Sequence, residues 1–238
     1  MAMEPGSEIS ATDLAVSATA QDIPSLNGIL KRIKLPRAHR MLDLGCGYGG
    51  LTRYVANYLK ISEIHGIDID DACLEQAKLK GIHTYNLDLN SARLPFPDGF
   101  FDLVISFGVL EHLVFFDNQL RESFRVLAKG GYLIVAMPNL ASYVNRIALL
   151  FGYQPRDIEI SRELSPGVLP FHDRGFLGHI HSATLVALKQ MLKYYGFHII
   201  KVKPSSPYQV NKLVKVLDKI FSPFPSLSRR FIILAKKP

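Results

Sequence analysis

The chain of 238 residues is 48% apolar and carries 28 Lys and Arg against 21 Asp and Glu. That length supports one substantial core in a single domain, and no apolar run reaches the roughly 18 residues that a membrane span needs. The net charge of +7 is unevenly spread, −3 over residues 1–139 and +10 over residues 140–238; a basic second part suggests an anionic acceptor, an anionic membrane surface or a nucleic acid.

Residues 1–20 are small and polar with scattered acids and read as a loose arm. They show no basic start followed by an apolar core, so no secretory signal is expected there. Within residues 21–36, the stretch Pro24 to Leu35 has apolar residues at 26, 29, 30 and 33 and predicts an amphipathic helix that Pro36 ends.

Met41-Leu-Asp-Leu-Gly-Cys-Gly-Tyr-Gly-Gly50 is an apolar run that stops abruptly in glycine, the pattern of a buried strand feeding a tight turn. Leu51–Leu59 follows with apolar residues at helical spacing. Strand, turn and helix together let a ligand lie against bare backbone near free N–H groups. Gly45-x-Gly47-x-x-Gly50 also fits a dinucleotide fingerprint, so charge must discriminate. Asp43 precedes the turn, Asp68 ends the next strand (Ile64–Ile67), and Asp88 ends the one after (Ile82–Leu87). Three carboxylates would repel a pyrophosphate. They suit a ribose-bearing ligand with a sulfonium and an ammonium, which is S-adenosylmethionine. Asp70, just before a helix over Ala72–Lys80, fits a helix cap, which leaves Asp68 for the ribose hydroxyls. The two cysteines, Cys46 and Cys73, lack metal or redox spacing and read as reduced thiols, which points to the cytoplasm.

Phe101–Phe107 is a nearly all-apolar fourth strand, as expected where both sheet faces are covered. Glu111-His112 opens a predicted helix through about Leu127, and Gly131–Met137 is the fifth strand, broken by Pro138-Asn139. His112 lies at the carboxyl edge of the sheet, where it is either a candidate base or a residue that positions the cofactor loop. Leu140–Phe151 reads as a helix. Residues 152–181 have no period and read as the main part of a substrate lid spanning 140–182. The lid carries His172, His179 and His181, further candidate bases. No helical spacing supports a metal site among them. Residues 183–238 complete the chain with a helix over Ala183–Tyr195, a strand over Phe197–Val202, a helix over Val210–Phe221 and a strand over Phe231–Ala235. Lys212, Lys215 and Lys219 line one side of the last helix, which either covers the core or lies on a membrane surface.

Residues 40–139 resemble a class I S-adenosylmethionine-dependent methyltransferase of the broad small-molecule and lipid type. Leu42–Gly49 is similar to the family's first motif and Gly66–Asp70 to its second-strand end. Asn86–Leu89, Leu94–Asp98 with Phe101–Val104, Val109–Leu113, Arg125–Gly131 and Met137–Asn139 continue the match in order. The resemblance implies a doubly wound, Rossmann-like α/β fold. Its seven-stranded sheet is mostly parallel, with an antiparallel last strand between strands five and six and a helical insert after strand five. It implies a cofactor site of Asp43, Gly45, Gly47, Gly49, Asp68, Ile69, Asp88, Leu89 and Phe107, with no metal. Asp88 and Leu89 would face the adenine, and the end of the fourth strand the methionine part. The family often lays its N-terminal helix over the cofactor; plain packing on the sheet is the other role. Tyr48 is bulkier than the small residue often found there.

The expected reaction is in-line methyl transfer to a small-molecule, lipid or glycan acceptor, at oxygen, which needs mainly alignment and exclusion of water. A hydroxyl acceptor would need a base; a carboxylate would not. Arg146, Arg156, Arg162 and Arg174, beside Phe151, Tyr153, Leu164 and Phe171, suggest an anionic acceptor with an apolar part, and weak membrane-surface contact is compatible with the basic helix. The alternatives are C- or N-methylation of a quinone, an isoprenoid or nucleic acid, although the Asn/Asp-Pro-Pro-aromatic signature of target-amine enzymes is missing. A nicotinamide oxidoreductase is disfavoured by the carboxylates.

Overall fold

In a computed structural model that describes residues 23–35, 39–169, 177–205, 212–221 and 223–238, seven strands form one sheet in the order β3-β2-β1-β4-β5-β7-β6. The strands are β1 (Arg40–Leu44), β2 (Glu63–Asp68), β3 (His83–Asn86), β4 (Phe101–Phe107), β5 (Leu127–Pro138), β6 (His198–Ser205) and β7 (Arg230–Lys236). The helices are α1 (Ile23–Leu30), α2 (Gly50–Leu59), α3 (Asp71–Leu79), α4 (Asp117–Val126), α5 (Tyr143–Leu150), α6 (Leu185–Tyr194) and α7 (Lys212–Phe221). β1 to β5 pair in parallel, and β7 pairs antiparallel with both β5 and β6. The expected fold is the one found.

Strand alternation divides the core into two layers, because successive side chains leave opposite faces. Leu42, Leu44, Val104, Leu133, Val135 and Ile233 share one face with Leu120 and Val126 of α4 and Leu188 and Leu192 of α6. Met41, Leu103, Ile105, Ile134, Ile232 and Leu234 face the other way, against α1, α2 and α3 through Leu26, Ile29, Val55, Ala56 and Leu74. Asp43, on the Met41 side of β1, is therefore a carboxylate inside an apolar layer.

Several boundaries differ from the expected ones, each for a local reason. The helix predicted from Glu111 is a 3-10 turn, Leu110–His112, followed by extended backbone at Leu113 before α4 begins at Asp117. Continuation fails because the Val114 N–H donates to the Asn90 side-chain carbonyl at 2.8 Å. α1 stops at Leu30, and Arg32 and Ile33 tighten into i→i+3 bonds on Ile29 and Leu30. A Cβ at Gly28 would stand 3.2 Å from Cε of Lys203, so α1 lies close on β6. α5 starts at Tyr143, where Ser142 accepts the Asn145 N–H as its cap, and α6 starts at Leu185, capped by Thr184. From 152 to 182 the described residues contain neither helix nor strand. In the last helix, residues 210 and 211 fall outside the described set, and α7 begins at Lys212.

α7 is fixed at one buried point. Asp218 accepts the Tyr143 hydroxyl at 2.8 Å and pairs with Arg229 at 2.6 Å, joining α5, α7 and the approach to β7. Val216 and Ile220 remain exposed on the same helix. No helix among the described residues is long and apolar enough to cross a membrane.

Candidate active site at the carboxyl edge of the sheet

Two groups of residues meet where β1, β2 and β4 end. The first is the glycine turn. Gly45, Gly47 and Gly49 have φ of 78°, 49° and 76°, a region that side-chain-bearing residues enter only with strain. The Gly45 and Cys46 N–H groups both donate to the Ile67 carbonyl of β2, at 2.8 and 2.9 Å. A Cβ at Gly45 would strike Val109, and one at Gly49 would strike Ile82. At Gly47 a Cβ would meet nothing within 4 Å, so the turn leaves open space over that residue.

Asp68 and Asp43 flank this turn, whereas Asp88 lies in a loop beyond β3. Asp68 Oδ2 accepts the Gly47 N–H at 2.8 Å, while Oδ1 accepts those of Ile69 and Asp70. Asp43 is almost fully buried and accepts the Thr52 hydroxyl from α2 at 2.6 Å. Burial pushes its carboxyl up to about 7, only partly offset by that hydrogen bond, and Asp68 nearby adds to the rise. Asp88 is exposed and accepts from Asn90 in a local turn; Leu89 beside it is buried. Phe107 is buried at the end of β4, and Ile69 is exposed beyond Asp68. Asp70 caps α3 by accepting from Ala72 and Cys73, the role its spacing suggested. The exposed Tyr48 stands on the rim of the turn.

The second group lies past the end of β4. Glu111, from the 3-10 turn, is buried, and its Oε1 lies 3.9 Å from Nη1 of Arg230 at the start of β7. Its Oε2 has no hydrogen-bond partner among the described residues. Burial raises the Glu111 carboxyl above its ordinary range, and Arg230 opposes that rise. His112, exposed beside it, contacts the Gly178 carbonyl through Nδ1 at 2.9 Å. His179 packs edge-on against His112 with ring centroids 4.9 Å apart.

His179 reaches this position because the lid is clamped at two acids. Glu159 accepts the N–H groups of Leu177, Gly178 and His179, and the Glu111 carbonyl accepts those of Ile180 and His181. Burial drives the His179 imidazole down to about 3, with the charges of His112, Arg230 and Arg156 adding to the fall. It is held neutral. His181 is exposed, and His172 lies outside the described residues, as does Arg174.

Of the four histidines singled out from sequence, the structure brings two together, His112 and His179. Glu111, Glu159 and Arg230 were not singled out. Glu111 carried a usable signal, an acid set between Leu110 and Leu113 in an otherwise apolar segment. Arg230 carried none, since its proximity depends on β7 lying beside β5. Beyond this group the lid encloses a hollow lined by Arg156, Ile158, Ile160, Leu164, Val168 and Leu177.

Comparison with known proteins bears on this edge of the sheet. Residues 42–135 match the methyltransferase-domain family. A probable S-adenosylmethionine-dependent methyltransferase of Mycolicibacterium smegmatis is 32% identical over 63% of this chain and 61% of its own length. Ajmaline N-methyltransferase of Rauvolfia serpentina is 38% identical over 43% of this chain and 36% of its own. The chain thus spans less than two thirds of the length of these relatives. A solved S-adenosylmethionine-dependent methyltransferase from Listeria monocytogenes shares the fold with a TM-score of 0.62 at 20% identity, over 92% of this chain and 99% of its own.

Proposed function

From the premise that residues 42–135 are a class I S-adenosylmethionine-dependent methyltransferase domain, we propose that the chain methylates oxygen on a small anionic acceptor with an apolar part. The observation that carries this reading is the meeting of the glycine turn with a buried, charged group past β4. One half suits the cofactor and the other an acceptor.

The residues fit the cofactor on their own chemistry. The open space over Gly47 admits a ligand against backbone, and the Asp68 carboxylate bound to the Gly47 N–H disfavours a pyrophosphate there. Asp68 would accept the ribose hydroxyls through lone pairs left over from its backbone bonds, while Asp88 and Leu89 would frame the adenine. Asp43 would hold the turn through Thr52, its buried carboxyl only partly ionised at neutral pH. Gly45, Gly49 and Phe107 would shape the floor, and Ile69 an outer wall. When bound, S-adenosylmethionine supplies a methyl group already activated by the sulfonium.

The rest is positioning. Arg156 and Arg230 place positive charge beside the lid, which favours an acceptor carboxylate or phosphate nearby, and the exposed Ile160, Leu164 and Leu177 of the lid offer apolar surface to the remainder of the molecule. Glu111, His112 and His179 would deal with the proton of a hydroxyl acceptor. The proposed setting is the cytoplasm, with Val216 and Ile220 of α7 available to a membrane surface that presents a lipid-linked acceptor. Ajmaline N-methyltransferase is among the relatives, so nitrogen acceptors form the second reading.

The test is transfer of labelled methyl from S-adenosylmethionine into a cell extract, separated into organic-soluble, water-soluble and macromolecular pools. Label in the organic pool, base-stable and falling as salt rises, supports an anionic, partly apolar acceptor. Label confined to protein or nucleic acid overturns it.

A further inference from the structure

Glu111, His112 and His179 each offer one ligand atom, and the three atoms lie within 4.8 Å of one another. They come from two segments more than sixty residues apart in the chain, which is why no sequence spacing announced them. We propose that this group binds one divalent first-row transition metal ion, with Glu111 Oε2, His112 Nε2 and one ring nitrogen of His179 as ligands and at least one position left for the acceptor oxygen.

Four features support the assignment. Glu111 Oε2 and His179 Nδ1 are buried polar atoms with no hydrogen-bond partner among the described residues, a costly arrangement that a cation would relieve. The Gly178 carbonyl at His112 Nδ1 fixes the proton on that nitrogen and leaves the Nε2 lone pair outward, the usual support for a ligating imidazole. Arg230 sits on the other carboxylate oxygen, Oε1, so it orients Glu111 without occupying the ligating atom. Glu159 holds the His179 backbone through its N–H, so the lid ligand is anchored. With metal–ligand bonds of about 2.0–2.2 Å, tetrahedral ligand atoms stand roughly 3.4 Å apart, so a pair at the 4.8 Å limit must close by about 1.4 Å. His112, exposed on a 3-10 turn, can make that adjustment. Two imidazoles and a carboxylate favour zinc, manganese, iron or cobalt over magnesium or calcium, which prefer all-oxygen sites.

The ion's role rests on the methyl-transfer reading; the site itself does not. As ligands, Glu111, His112 and His179 act on the acceptor proton through the ion and not as bases: a hydroxyl oxygen bound to the cation loses its proton to water. Its lone pair then forms the bond to the methyl carbon, and the carbon–sulfur bond breaks with its electron pair left on sulfur. The acceptor is thereby narrowed to a hydroxyl-bearing anion.

The experiment is titration of the untagged, metal-stripped protein with cobalt(II), read by visible ligand-field absorption, with S-adenosylhomocysteine affinity measured in parallel. One equivalent should bind. The His112→Ala and His179→Ala variants should weaken it by about 10- to 100-fold or more, as removal of a ligand costs at least what removal of its hydrogen-bonded support does. His198→Ala, an exposed histidine on β6, should bind as the parent does. His112→Ala alters an exposed side chain and tests the site even if a buried variant misfolds. No ligand-field absorption from the parent protein, or equal absorption from parent and His112→Ala, overturns the site. Retained S-adenosylhomocysteine affinity in these variants supports two separate sites, and its absence from the parent overturns the methyl-transfer role alone.

Discussion

The Asp68 carboxylate holds the Gly47 N–H at 2.8 Å, so the end of β2 and the turn after β1 are joined by one charge-assisted hydrogen bond. The same oxygens are proposed to receive the ribose, which makes Asp68 both a brace of the turn and a contact. Replacing it with Ala should weaken S-adenosylhomocysteine binding by about 1.5–3 kcal/mol, the loss typical of hydrogen bonds to a charged group. Calorimetry decides, and an unchanged affinity would remove Asp68 from the site.

Gly45 and Gly47 share the turn but separate structure from binding. Gly45→Ala drives a Cβ into Val109 and should lower stability by several kcal/mol, through overpacking added to strain of roughly 1–2 kcal/mol from the left-handed backbone. Gly47→Ala meets open space and should carry the strain alone. Its cofactor affinity should fall steeply while its urea midpoint moves little. Equal loss of stability in the two variants would contradict this division.

Asp43 gives the protein a specific pH dependence. Its folded-state pKa, about 7, is raised above the 3.8 of an unperturbed aspartate, so in that interval the folded protein binds more protons than the unfolded chain. Stability linked to this group is therefore greatest below about pH 4 and declines as pH rises through 7. At about 1.4 kcal/mol per tenfold change in proton affinity, the decline is on the order of 4 kcal/mol. Asp43→Asn keeps an acceptor for the Thr52 hydroxyl and should lose this contribution to the slope. Denaturation curves of the two proteins from pH 5 to 8 should diverge, with the variant gaining ground as pH rises. Parallel curves would rule out a raised Asp43.

The buried Asp218–Arg229 pair should fasten α7 to β7. Asp218→Ala removes the carboxylate from Arg229 and from the Tyr143 hydroxyl together, at an expected cost of about 3–5 kcal/mol. Urea denaturation measures it. Asp218→Asn, which can still accept from Tyr143, should be less damaging.

Most of the fold was legible because it rests on local patterns. Apolar runs of strand length ended in glycine or aspartate, amphipathic helices stood between them, and Asp70 announced its own cap. The glycine turn and its neighbour Asp68 were legible for the same reason, since Asp68 ends β2 and the parallel register of β1 and β2 brings that end to the turn. The second group was legible only as separate residues, His112 and His179. Their meeting with Glu111 depends on a lid held by both the Glu159 carboxylate and the Glu111 carbonyl, and Arg230 arrives from β7 across the sheet. The break at Leu113 was hidden as well, since a single side chain, Asn90, diverts the Val114 N–H that a helix would have used.

β6 pairs only with β7 among the described strands, and β7 alone joins it to β5. β6 precedes β7 in the chain, yet it joins the sheet only through β7, so it reaches β5 either paired with β7 or after it. Until then, Leu133 and Val135 of β5 and the apolar positions of β6 are exposed to mispairing. The step that closes that edge also carries Arg230 to Glu111. A chain in which β7 has not docked would thus combine an open β-sheet edge at β5 with a Glu111 carboxylate that lacks its Arg230 neighbour.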